Sequence, residues 1–134
     1  MEVKLVTQIW RDEKADEKRR LEAGEIDASE CCIEELFPDS FIDETEPLLR
    51  SFVECLSTVG ESDYIAVSSA VESLVIALNR INEKFGHAVI ETGEREQLCQ
   101  FIEDVIDESA VDLDDFAKHC GCDKSDITDR WRNW

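Results

Sequence analysis

Apolar residues recur at helical spacing along most of this chain, most cleanly between Tyr64 and Ala110. Val67, Val71, Leu74, Leu78, Ile81 and Phe85 step by 4, 3, 4, 3 and 4 residues, which draws one stripe down one helix. Val75 and Ala70 widen the stripe, so this helix is expected to meet more than one neighbour, while Ser68, Glu72, Asn79 and Glu83 lie off it. Gly86 stops it. Thr92 is placed to cap a second helix with Glu94 and Glu96 near its positive end. The inner face of that second helix is Leu98, Phe101, Ile102, Val105 and Ile106. The short connection predicts an antiparallel pair.

Shorter helices are expected around that pair. Residues 2–22 read as a helix with Leu5, Val6, Ile9 and Trp10 inward; its second half, RDEKADEKRRLE, is charged and projects into solvent, with Asp16 and Arg20 at i,i+4 and Gly24 as the stop. Val3, Leu5 and Ile9 also alternate, so an edge strand is the competing reading for MEVKLVTQIW. Ala28–Phe37 is read as a short helix with Cys32, Ile33, Leu36 and Phe37 inward, closed by Pro38. PDSFIDETEP is read as a loop anchored by Phe41 and Ile42. Pro47 then opens a helix, where its missing N–H costs nothing, and Leu48, Leu49, Phe52, Val53, Leu56 and Val59 follow. Gly60 ends that helix, and Ser62 or Asp63 caps the next. Two short helices are expected near Leu113–His119 and Ser125–Trp134, with Asp112 and Ser125 as caps. The fold class is therefore all-α: one domain over residues 1–134, a bundle of five to seven helices around the central antiparallel pair, with 1–24 as a projecting N-terminal helix.

Charge changes this picture more than size does. At 134 residues the chain is long enough to bury a core unaided. Its 33 acidic and 14 basic side chains leave a net charge of −19. Residues 1–24 are balanced, whereas residues 25–64 hold one base, Arg50, against 12 acids. The acidity thus belongs to the folded body and not to a tail. Such a field repels nucleic acid and anionic lipid and speeds encounter with basic partners. No basic start followed by a long apolar run is present, and no apolar run reaches the ~18–20 residues of a membrane span. The expectation is a cytoplasmic protein with its six cysteines reduced.

The reactive residue types form no recognised constellation. His119, Cys120 and Cys122 are close and Cys31 and Cys32 adjacent, yet there is no CxxC pair of the kind that wraps zinc, so no metal is expected. Cys55 and Cys99 fall near apolar helix faces, where a thiol acts as a small hydrophobe. His87 and His119 belong to no triad. Asp112, Asp114 and Asp115 begin like a calcium loop, but Phe116 holds the next ligand position and the glycine is missing. The five glycines are singletons, so no phosphate cradle exists and no cofactor is expected. The expectation is a protein that is not an enzyme. Arg130, Trp131, Arg132 and Trp134 read as a helical face docked on the core, with a partner anchor as the sharper alternative. Arg11, Lys14, Lys18, Arg19 and Arg20 are available to an acidic partner or to the acidic body itself.

What remains is an acidic face in two sets, read as partner-binding, with a solvated face that has no partner as the competing reading. Asp39, Asp43, Glu44 and Glu46 cluster between Pro38 and Pro47. Glu103, Asp104, Asp107, Glu108, Asp112, Asp114 and Asp115 follow from the end of the second central helix. Surface charge of one sign steers association, and a basic nuclease site is a typical target.

The segment Asn82–Ile102, NEKFGHAVIETGEREQLCQFI, resembles a helix–turn–helix of small acidic bacterial proteins, through its run from Ile90 to Cys99. Some of those are immunity proteins that neutralise a toxin from a competing cell. The resemblance carries over no functional residue. It implies a stable, non-catalytic binder that blocks an enzyme made by its neighbouring gene; with the acidic charge added, the expectation is a cytosolic inhibitor, monomeric or weakly dimeric, of a cognate basic toxin domain acting on nucleic acid. An adaptor for a basic protein that is not a toxin, and a small enzyme using a buried carboxylate or cysteine, are the other two readings.

Overall fold

The computed structural model describes residues 3–26, 39–87 and 89–134. Among them the chain forms five α-helices, one 3-10 turn and no strand. These are α1 (Val6–Glu22), α2 (Asp39–Leu56), α3 (Tyr64–Lys84), α4 (Thr92–Glu108) and α5 (Leu113–Cys120), followed by the 3-10 turn Lys124–Asp126. The expected all-α class is what the chain adopts. The expected helix at Ala28–Phe37, with Cys31 and Cys32, lies outside the described residues.

The stripe of α3 is its inner face. Val67, Val71, Leu74, Val75 and Leu78 are buried, and Ile81 and Phe85 are half-buried against the same core. The helix has the length and apolarity of a membrane span, but the domain's own helices cover this face. Its most extensive neighbour is α2; α4 packs against α1, α2, α5 and the 3-10 turn. Leu98, Phe101, Ile102, Val105 and Ile106 of α4 complete the core, as their spacing predicts.

Two asparagines off the stripe are buried. Asn82 accepts a hydrogen bond from the Ile90 N–H at 3.1 Å, and its carbonyl takes the His87 N–H at 2.7 Å. Those bonds hold the connection from α3 to α4 where Gly86 and His87 both adopt positive φ, 72° and 61°. For histidine that backbone is uncommon and needs such support. Asn79 donates to the Trp131 carbonyl at 2.7 Å and accepts from the Asn133 N–H at 3.1 Å. It fixes the C-terminal segment on the core, with Trp131 and Trp134 half-buried as the docked reading expects. The expected helix over Ser125–Trp134 is instead the short 3-10 turn and further turns.

Residues 39–47 of the segment read as the loop PDSFIDETEP are the first half of α2. Pro47 is therefore interior, not in the first turn. An interior proline loses the bond to the carbonyl four residues back, a cost of about 3 kcal/mol. Here Pro47 is exposed, and the apolar face on both sides of it is continuous. Phe41, Ile42, Leu49, Phe52 and Leu56 are all buried at helical spacing. Burying a side chain of this size stabilises by about 1.5–3 kcal/mol each, so the face outweighs the proline.

Helix α1 docks by its first half only. Val6, Thr7 and Trp10 are buried, whereas most of Ala15–Glu22 is exposed, and Gly24 follows the helix at φ 74°. Trp10 stacks on Phe41, ring centroids 5.1 Å apart, and its Nε1 donates to Gln97 at 2.8 Å. One side chain thus joins α1 to α2 and to α4. At the other end Asp112 caps α5 by accepting from the Asp115 N–H at 3.0 Å, as its position suggests.

Candidate protein-binding surface

The two acidic sets have different fates. Asp39, Asp43, Glu44 and Glu46 stand on α2 and face bases of the same chain. Asp39 takes Lys14 at 2.7 Å, Asp43 takes Arg11 at 3.0 Å, Glu46 takes Arg11, and Glu44 takes Lys84. The hydrogen bond from Lys14, with its charge, holds the Asp39 carboxyl below its ordinary value. Desolvation works to raise Glu46, but the bond and charge of Arg11, with Thr7 and Arg50, outweigh it and keep that carboxyl low. The basic stretch of α1 therefore serves the acidic body: Asp39, Asp43 and Glu46 tie α1 to α2, and Glu44 ties α2 to the end of α3.

The second set carries no ion pair among the described residues. Glu103, Asp104, Asp107 and Glu108 lie on α4, and Asp112, Asp114 and Asp115 open α5. Asp104 accepts only from Gln100, at 2.9 Å. Desolvation, opposed by Lys124 and aided by Asp104, raises the Glu103 carboxyl. The last turn of α4 holds no basic residue, so Asp107 and Glu108 sit at the negative end of the helix dipole. Charges of this sign at that end cost about 0.3–1 kcal/mol each at the surface. Asp114 and Asp115 are differently placed, in the first turn of α5, where the dipole favours them.

Along α4 the row runs on into a groove against α1, of about 620 Å³. Val6, Ile9 and Phe101 contribute apolar surface; Glu13, Glu94, Glu96 and Asp104 contribute four carboxylates against one base, Lys4, which is paired with Asp12. A lysine or arginine suits such a groove, its methylenes on the apolar surface and its cation among the acids. Sequence reading missed this part of the site. Glu13 is the eighth residue of one helix and Glu94 the third of another, and only the docking of α1 on α4 joins them. The periodicity that puts Glu96, Gln100, Asp104, Asp107 and Glu108 on one face of α4 was readable from spacing alone.

Glu13 records the juxtaposition. Desolvation first, and the Glu94 charge second, raise its carboxyl above the ordinary 4.5. A carboxyl raised in the folded state stabilises the fold below its unfolded pKa, and that contribution is lost as pH rises through the folded value. Asp39 and Glu46, held low, contribute above their unfolded values and lose that as pH falls through their folded ones. Glu13→Gln is therefore expected to raise the urea midpoint at neutral pH and to match the parent at about pH 4, below the unfolded value. Equal midpoints at neutral pH would show that solvent fully screens the Glu13 charge.

Among the described residues the thiols do not assemble into a metal centre. Cys55 is exposed, unlike the apolar placement expected for it, and Cys99, Cys120 and Cys122 are half-buried. Desolvation raises the Cys120 and Cys122 thiols, which favours the protonated, unreactive form. Cys99 receives the Arg132 guanidinium at 3.0 Å. Among the described residues no group of three or more His, Cys, Asp or Glu side chains converges as a metal site. His119 stacks on Tyr64 with centroids 4.9 Å apart, and His87 sits in the turn after α3.

No family model, no curated protein and no solved structure matches the chain.

Proposed function

We propose that this chain is an immunity-type inhibitor, which binds a cognate basic toxin domain acting on nucleic acid and covers its active site. One observation carries the reading: the unpaired carboxylates along α4, including two set against the helix dipole. Folding gains nothing from Asp107 and Glu108 there, so their benefit is sought in binding. The groove against α1 adds apolar surface beside the charge, which supplies affinity where charge alone supplies mainly speed. The acids stand in for phosphates, and α5 extends the row with Asp112, Asp114 and Asp115.

The test is capture with the tagged full chain from its native lysate, at low and at high salt. The expected result is one stoichiometric basic protein, held more weakly at high salt, whose nucleic-acid-degrading activity stops on adding an equimolar amount of this chain. No partner at either salt, or a partner whose activity is unaffected, would overturn the reading.

A further inference from the structure

A second groove lies on the opposite side of α2 from the α1 contacts, between α2 and α3, with a volume of about 360 Å³. Its α3 wall presents, together with the buried Leu74, four small side chains, Ala66, Ser69, Ala70 and Ser73. These fall at i, i+3, i+4 and i+7, one face over two turns, or about 10 Å. Its α2 wall adds Leu48, Phe52 and Cys55. Small residues in that pattern let a second helix come close, so that its larger side chains fill the groove. Beside it stands Ile65, 78% exposed, the one large hydrophobic side chain left in solvent among the described residues.

Charge selects the occupant. Glu54, beside Cys55, and Glu72, beside Ser73, are exposed on the outer flanks of the two walls. Glu54 also lies in the last turn of α2, which holds no base, so it repeats the unfavourable placement seen on α4. A second copy of this chain would bring another −19 to a flank that is already acidic. Anionic lipid would be repelled in the same way. We infer that the α2–α3 groove receives an amphipathic helix whose apolar face carries residues at i, i+3/i+4 and i+7 and whose flanks carry lysine or arginine. The inference deepens the reading of a basic partner and rests on it: the helix belongs to that partner, and the row on α4 steers it in.

Cys55 gives the site its own reporter, since it is free, exposed and on the groove wall. The probe is a synthetic Leu/Lys amphipathic helix of about 15 residues, long enough to hold helical form. Alkylation of Cys55 in the full reduced chain is followed by mass spectrometry with and without the probe. At ten times the dissociation constant the expected slowing is about tenfold, because only the unbound fraction reacts. Ser69→Arg with Ser73→Arg, at exposed helix positions that accept arginine, should abolish the protection with the melting temperature unchanged. Protection by a permuted Leu/Lys peptide without the apolar face, by neutral-lipid vesicles, or by raising the chain's own concentration would overturn the inference. So would probe binding that leaves Cys55 reactive, or no probe binding. In those two cases the capture experiment still decides the basic-partner reading by itself, because it reads binding by the whole chain and loss of the partner's activity, not occupancy of this groove.

Discussion

Trp10→Ala should cost about 3–5 kcal/mol of folding stability, the range for removing a fully buried large aromatic side chain. The indole is completely buried, stacked on Phe41 and bonded to Gln97, so the change opens a cavity where α1, α2 and α4 meet. A domain of this size has about 5–15 kcal/mol in all, so the variant should lie near the edge of folding. Urea unfolding at neutral pH measures it as a lower midpoint. Trp10→Phe keeps most of the stacking but leaves the Gln97 oxygen without its donor, and should cost about 1–3 kcal/mol. A loss below about 1 kcal/mol for the alanine variant would mean that α1 docks and undocks without the rest of the fold noticing.

The second large effect is on association. Asp104→Lys, Asp107→Lys and Glu108→Lys together should slow binding to the proposed basic partner by about 10²-fold, since steering of this kind contributes about 10–10³ to on-rates. The choice of α4 separates binding from folding. Lysine in the last turn of α4 complements the dipole that aspartate and glutamate oppose, so the triple variant should unfold at an equal or higher denaturant concentration than the parent. Stopped-flow association and urea midpoints, measured on the same preparation, read the two quantities. A variant that associates as fast as the parent would remove the α4 row from the interface. Reversal of Asp39, Asp43 and Glu46 makes the informative contrast. Those acids hold Arg11 and Lys14, so their loss should loosen α1 before it alters encounter.

What the sequence made legible follows from the range of each interaction. The stripe of α3 and the inner face of α4 are local patterns, and both are buried as spacing predicts. The cap at Asp112 and the stop at Gly24 are equally local. Pro47 misled because a proline rule was allowed to outrank periodicity. Phe41, Ile42, Leu49 and Phe52 already keep helical register across it. Asn79 looked like a surface residue because its partners lie 52 and 54 positions away. The same distance problem hid the split of the acidic face. Lys14 and Asp39 are 25 residues apart, Arg11 and Asp43 are 32, and no local signal said which carboxylates the chain would neutralise by itself.

The bonds of Asn79 end on the main chain at Trp131 and Asn133, not on their side chains. A grip on peptide groups is indifferent to what each residue carries. The path of residues 131–133 can therefore persist while the identities along it drift. The exposed Arg130 and Asn133 can be exchanged one at a time for other polar residues without losing the anchor that orders them. The residue that holds this stretch in place and the side chains along it are thus separate targets of selection.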